Sequence, residues 1–170
     1  MSNKKILMII APKNFREEEL QEPLEIFKNA GHNVTIASVT KETCRSMFGL
    51  SVKPDQSVDE IKVGNYDAVV LVGGAGSPAL KKYPSVLKVL KESQSMGKVL
   101  GAICLAPTVL AKADLLKERK ATVFSSGIEE IKKAGAEYVS DEVVVDGNLV
   151  TGDGPNAATS FAHKILERLD

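Results

Sequence analysis

The sequence has no excess of charge: 22 lysines and arginines stand against 22 aspartates and glutamates in 170 residues. With no basic cluster either, it lacks the electrostatic footprint of a nucleic-acid binder or of a protein drawn to anionic lipid. Long apolar runs are missing too. The first, in MSNKKILMIIAP, is about six residues, well short of the roughly 20 that a spanning helix needs, and short for a secretory-signal core. It reads as a strand. Only two cysteines, Cys44 and Cys104, and two histidines, His32 and His163, are present. They show no metal-ligand spacing, and a Cys44–Cys104 disulfide is disfavoured in the reduced, cytoplasmic setting expected of this chain. There is no repeat, low-complexity tract or linker, so one domain over residues 1–170 is expected.

What the chain does have is alternation. KILMII, NVTIASV, DAVVLVGG and KVLGAIC are continuous apolar runs of strand length, as in strands covered on both faces. Helical patterns separate them. LQEPLEIFKNA is kinked or restarted at Pro23 and closed at Gly31; SVLKVLKESQSMG is closed at Gly97. PTVLAKADLL opens on Pro107, where the missing N–H has no helical partner to lose. Asn14 to Glu17, N-F-R-E, spells a capping box that would start the first helix at Asn14. Residues 41–61 read as short strands and turns, KATVF as a short strand and IEEIKKAGA as a short helix. EVVVDGNLVTG predicts a hairpin turning at Asp146-Gly147. The last helix runs from about Pro155 to Leu169, with Ala158, Phe161, Ala162, Ile165 and Leu169 on one face. This order predicts an α/β fold: a mostly parallel sheet with helices on both faces.

In such sheets ligands gather beyond the carboxyl ends of the strands. That rule selects the loop after the first strand, Gly73-Gly74 and Cys104. GAICLAP turns from strand into helix at Cys104, a geometry like a nucleophile elbow, although G-x-S-x-G is absent. The side chain is expected at an exposed rim, with the helix terminus lowering the thiol by one or more units from about 8.5. Backbone N–H groups of Leu105 and Gly74 are candidates for an oxyanion hole. A structural core cysteine is the alternative. GGAG and GDGPN are not phosphate loops; Gly152-Asp153-Gly154 reads as a tight strand-to-helix turn. Cys44, in the polar K-E-T-C-R-S, reads as an incidental surface thiol.

VGGAGSPAL, AICLAPTVLAKADLL and GDGPNAATSFAHKIL, with the acidic FREEELQEP near the start, resemble the DJ-1/PfpI family of the class I glutamine-amidotransferase-like superfamily. The resemblance covers nearly the whole chain. It implies a flavodoxin-like three-layer sandwich, a nucleophilic Cys104, a carboxylate partner from the first loop, and a homodimer or larger assembly. The family's glutamate lies four residues before the proline of the first helix, which maps onto Glu19, four before Pro23. Glu17 and Glu18 then read as first-turn acids that favour the helix dipole. Gly73, Phe124 and Ser125 are the candidate walls of the site.

Leu105 stands where the protease-like branch carries histidine, and Phe124, Ser125 and Ser126 where some relatives carry another. His32, in the A-G-H-N turn, reads as solvated, and His163 as a rim or interface residue. A Cys–His–acid peptidase or an amidase therefore lacks its base. What the resemblance implies instead is cofactor-free, metal-free conversion of reactive carbonyls, of glyoxalase or deglycase type, on a small aldehyde or a glycated amine or thiol. Cys104 would attack and Glu19 would move the proton. The competing reading is a redox-sensing stress protein or chaperone without turnover, in which Cys104 oxidises to a sulfinate held by Glu19.

Overall fold

The structure, a computed structural model, describes residues 3–170. In chain order the elements are β1 (Lys5–Ile9), β2 (Lys13–Phe15), α1 (Glu17–Asn29), β3 (Asn33–Ser38), β4 (Cys44–Ser46), β5 (Ser51–Val52) and β6 (Gln56–Ser57). Then come β7 (Ala68–Leu71), α2 (Pro84–Ser95), β8 (Val99–Ile103), α3 (Pro107–Lys112), β9 (Lys120–Ala121) and α4 (Ile128–Lys133). The chain closes with β10 (Glu137–Tyr138), β11 (Val143–Asp146), β12 (Leu149–Gly152) and α5 (Ala158–Leu169). Seven strands form the central sheet in the order β11-β12-β8-β7-β1-β3-β6. Every neighbouring pair in it is parallel except β11–β12. This is the three-layer α/β architecture of the flavodoxin-like type. Among the described residues no helix is long and apolar enough to cross a membrane.

The unbroken apolar strands follow from two cores. In β1, Ile6 and Met8 join the layer that holds Phe27 of α1 and Phe161 and Ile165 of α5. Leu7 and Ile9 join the opposite layer with Val86 and Leu90 of α2 and Leu110 of α3. Alternate residues thus enter different cores, and neither face is left for polar side chains. The predicted stripe on α5 is the buried one. It lies against β8 at Gly101, where an added Cβ would come 2.8 Å from Ile165 Cδ1 and 3.0 Å from Phe161 Cζ. Gly101→Ala is therefore expected to cost about 1–3 kcal/mol of stability, through overpacking, read as a lower urea midpoint at unchanged slope.

Several local expectations are corrected. The first helix starts at Glu17, with Arg16 as its N-cap and no side-chain capping bond. Asn14 instead sits in β2 with φ 61°. Tertiary bonds take over: Arg16 N–H donates to the Gly73 carbonyl (3.0 Å) and Gly76 N–H to the Asn14 carbonyl (2.9 Å). Glu17, rather than reaching back to Asn14, accepts from the Ser46 hydroxyl and from Phe48 N–H. Pro23 lies inside a continuous α1, so the helix does not restart there, and the Glu19 carbonyl lacks its usual helical donor. α3 stops at Lys112, ahead of Asp114 with φ 62°. KATVF pairs over only two residues, with β10 and outside the main sheet. The hairpin pairs Asp146 with Leu149, so its turn is Gly147-Asn148 rather than Asp146-Gly147.

Two side chains are buried where exposure was expected. His32 is 9% exposed, and its Nδ1 accepts from Lys4 N–H at 3.0 Å. Cys44 is 1% exposed, because β4 folds back onto β2 and turns the thiol inward. Burial raises that thiol above its ordinary range. Both cysteines are free.

Candidate active site

The site forms where three loops meet at the carboxyl ends of β1, β7 and β8. Cys104 follows β8 directly and has φ 63°, a left-handed conformation costly for a residue with a Cβ. The surrounding backbone holds it there. Its N–H donates to the Gly152 carbonyl (2.9 Å), and its carbonyl accepts from Phe124 N–H (2.8 Å). The sharp turn aims the side chain away from the sheet axis and toward the loops after β1 and β7.

Gly73 and Gly74 make the close approach possible. A Cβ on Gly73 would overlap the Ile103 carbonyl oxygen and Glu19 Oε1, and would lie 2.6 Å from Cys104 Cβ. One missing methyl group is thus the space in which Glu19 and Cys104 meet. Gly74 has φ 115°, and its Cβ would press on the backbone of Phe15 and Arg16. These glycines dock the N-terminus of α1 and bring Glu19, one turn in, beneath the thiol. Gly73→Ala should lower stability by about 3 kcal/mol or more, since backbone cannot yield as a side chain can. Thermal unfolding of the variant checks this.

Glu19 is 0% exposed, and neither carboxyl oxygen has a hydrogen-bond partner of ordinary geometry. Burial raises its carboxyl to about 8, partly offset by the Cys104 thiol and by Arg16. Cys104 is 7% exposed and is pushed up to about 12, first by burial and then by the Glu19 charge. The N–H groups of Gly74 and Leu105 point at the sulfur and pull the other way. This reverses both expectations for Cys104: the thiol is enclosed, and its pKa rises. α3 is a six-residue helix, too short to outweigh burial beside a carboxyl. At neutral pH, however, Glu19 is mostly protonated, so its charge is withdrawn and its proton faces the sulfur.

The sign of the stability effect follows. In the unfolded chain the Glu19 carboxyl titrates near 4.5; in the fold it titrates near 8. The folded state thus holds an extra proton between these values, and stability falls as pH rises through that window, then levels off. The loss is on the order of 5 kcal/mol. Glu19→Gln, with nothing to ionise, should show a flatter stability–pH curve from 4.5 to 8 in urea titrations. An unchanged slope would contradict the buried carboxyl as its source.

A cavity of about 150 Å³ opens over the sulfur, lined by Arg16, Glu19, Met47, Gly74, Ala75, Cys104, Leu105, Phe124 and Pro155. Of the residues singled out from the sequence, Glu19, Gly74, Cys104, Leu105 and Phe124 line it, while Gly73 lies behind the Glu19–Cys104 contact. Ser125 does not line it. It belongs to a neighbouring cavity of about 370 Å³ with Val123, Phe124, Tyr138, Asp153, Gly154, Pro155 and Asn156. Neither His32 nor His163 lines either cavity. Asp153 and Gly154 are therefore wall residues as well as parts of a tight turn.

Arg16, Met47, Ala75 and Pro155 had no signal in the sequence. Met47 arrives on the β4–β5 hairpin, held by Ala75 N–H at its sulfur (3.5 Å). Arg16 is engaged by Glu18 at 2.9 Å and lies 5.0 Å over the Phe48 ring. Among the described residues no group of three or more His, Cys, Asp or Glu side chains is placed to hold a metal ion.

Comparison with known proteins gives a consistent picture. The DJ-1/PfpI family model matches residues 4–168. An uncharacterized protein of Methanocaldococcus jannaschii is 42% identical over 173 aligned residues, which span 100% of this chain and 84% of that protein. A deglycase of Pyrococcus horikoshii is 34% identical, over 97% of this chain and 99% of the deglycase. Among solved structures, a ThiJ/PfpI domain protein from Brachyspira murdochii superposes with a TM-score of 0.95 at 28% identity, covering 99% of this chain and 98% of its own.

Proposed function

Since the chain belongs to the DJ-1/PfpI family, we propose that it detoxifies reactive carbonyls without a cofactor, with Cys104 as nucleophile and Glu19 as acid and base. The observation that carries this reading is the buried, unpartnered carboxyl of Glu19 facing the Cys104 side chain across Gly73. A carboxyl held near pH 8 can give and take a proton at neutral pH, which is what the missing histidine would otherwise do. The deglycase relative from Pyrococcus horikoshii supports the same class of chemistry.

At neutral pH the pair carries a proton on each group; the reacting form is the minor one in which Sγ has lost its proton to solvent and Glu19 keeps its own. Sγ adds to the aldehyde carbon of methylglyoxal and Glu19 protonates the oxygen, with Gly74 and Leu105 N–H groups facing it. Glu19, now a carboxylate, removes the hydrogen from the carbon bonded to sulfur to give an enediol, the hydroxyl proton passes to the neighbouring oxygen, and Glu19 returns its proton to the adjacent carbon. The hemithioacetal thereby becomes a lactoyl thioester. Water cleaves the C–S bond, releasing lactate and restoring the thiol. The balance is methylglyoxal plus water to lactic acid.

The test is lactate formation from methylglyoxal by the purified protein. Repeated turnovers per chain are expected; no lactate from protein with an intact Cys104 would overturn the proposal. A second reading rests on the same contact: a protonated Glu19 would hold a Cys104 sulfinate, making peroxide the stimulus. We also expect a homo-oligomer in a reduced cytoplasmic setting. Phe48, 72% exposed beside the cavity mouth, is an apolar group that such an interface would cover.

A further inference from the structure

We infer that Met47 sets the upper size of the carbonyl compound that reaches Cys104, admitting short aliphatic α-oxoaldehydes and rejecting aryl ones, and that Glu17 holds it in place. The inference rests on the carbonyl chemistry proposed above and adds the residue that selects among its substrates.

The cavity over the sulfur is about 150 Å³, well below the roughly 300 Å³ at which sites for drug-sized ligands begin. Its capacity is decided by whichever wall can yield. Glu19, Cys104 and the backbones of Gly74 and Leu105 belong to the chemistry. Pro155 is a rigid ring, Phe124 divides this cavity from its neighbour, and Arg16 is held by Glu18 at 2.9 Å. Among the described residues, Met47 is the one that the β4–β5 hairpin supplies to the lining.

An unbranched thioether usually adapts to whatever meets it. This one is tethered at both ends. Met47 N–H donates to the Phe15 carbonyl at 2.8 Å, and its Sδ accepts from Ala75 N–H at 3.5 Å. The residue thus spans from β2 to the loop after β7. A larger substrate must displace the side chain and break its bond to Ala75.

The hairpin is itself latched to α1. Glu17 Oε2 accepts from the Ser46 hydroxyl and from Phe48 N–H (2.8 Å), the residues on either side of Met47. Ser46 Oγ also accepts from Leu50 N–H at 2.7 Å, which closes the turn beyond Met47. Glu17 Oε1 is buried without a partner, a cost that a group serving only the helix terminus would avoid by facing water. One turn of α1 therefore carries both the latch, Glu17, and the proton carrier, Glu19.

The test reads the cavity through thiol reactivity, independent of turnover. Cys104 is labelled with methyl and benzyl methanethiosulfonates, which share a leaving group. Each rate is followed by the mass of the Cys104 peptide and divided by the reagent's rate with 2-mercaptoethanol. Met47→Ala, which removes Cγ, Sδ and Cε, should raise the benzyl-to-methyl ratio by about 10-fold or more. Met47→Leu, of similar volume, should keep the wild-type ratio, since the exposed Ala75 N–H can turn to water. Glu17→Ala should raise the ratio part of the way, whereas Glu17→Gln, whose amide oxygen can accept both bonds, should leave it at the wild-type value. A wild-type ratio in Met47→Ala, or an equal rise in Met47→Leu, would overturn side-chain bulk as the limit. A wild-type ratio in Glu17→Ala would overturn the latch. In turnover, kcat/KM for phenylglyoxal relative to methylglyoxal should rise in Met47→Ala; an unchanged value with lactate still formed would overturn the substrate selection. Absence of lactate with the labelling ratios as expected would instead overturn the proposed turnover and leave Met47 as the limit on access to Cys104.

Discussion

Cys104→Ser is expected to abolish lactate formation from methylglyoxal, lowering kcat/KM by about 1,000-fold or more. The replacement keeps the shape of the side chain and the backbone bonds to Gly152 and Phe124, so melting temperature should stay near that of the wild type. What it removes is the capacity to ionise and attack. The enclosure already holds a thiol at about 12. A hydroxyl begins several units higher and would be raised by the same burial, so its alkoxide is out of reach at neutral pH. Retained turnover in a variant confirmed by mass would mean that another group attacks, and would end the role assigned to Cys104.

Glu19→Gln is the second large effect, and it separates attack from proton transfer. Turnover should fall by about 100- to 10,000-fold, the range in which positioned acid–base groups act. Cys104 should remain open to alkylation by iodoacetamide. Above pH 8 it should even react faster than in the wild type, because there the Glu19 charge opposes the thiolate and glutamine carries none. A variant that loses both turnover and alkylation would point to a collapsed pocket rather than a missing proton carrier. A variant that retains turnover would remove Glu19 from the chemistry.

The elements that could be read from the sequence are those whose cause is local. KILMII had to be a covered strand because six apolar residues in a row leave no face for water. Gly31 and Gly97 close their helices with φ 89° and 70°, a conformation that side chains resist. Phe161, Ala162 and Ile165 share a face by helical period alone, and that face is the buried one. The corner at GAICLAP was legible for a similar reason, since an apolar strand run followed at once by Pro107 leaves only Cys104 to make the turn.

Most of the misread features depend on distant residues. N-F-R-E has the letters of a capping box, but the loop after β7 claims the backbone at Asn14 and Arg16, and Ser46 and Phe48 claim Glu17. Polar neighbours made Cys44 and His32 look exposed, although packing against β2 and the Lys4 backbone buries them. Leu105 announced a missing histidine, yet nothing near it in sequence announced Arg16, Met47 or Pro155 as walls.

By itself, then, the sequence determined the order of strands and helices, the sheet they form and the corner that carries Cys104, because hydrophobic period and turn chemistry act over a few residues. Only the tertiary structure decided the state of that cysteine. A helix start argues for a lowered pKa, but burial and a carboxyl brought in from α1 raise it, and desolvation of a charge outweighs the terminus of a six-residue helix. The tertiary structure alone also set Arg16, Met47 and Pro155 around the same sulfur, since they arrive on loops far apart in the chain.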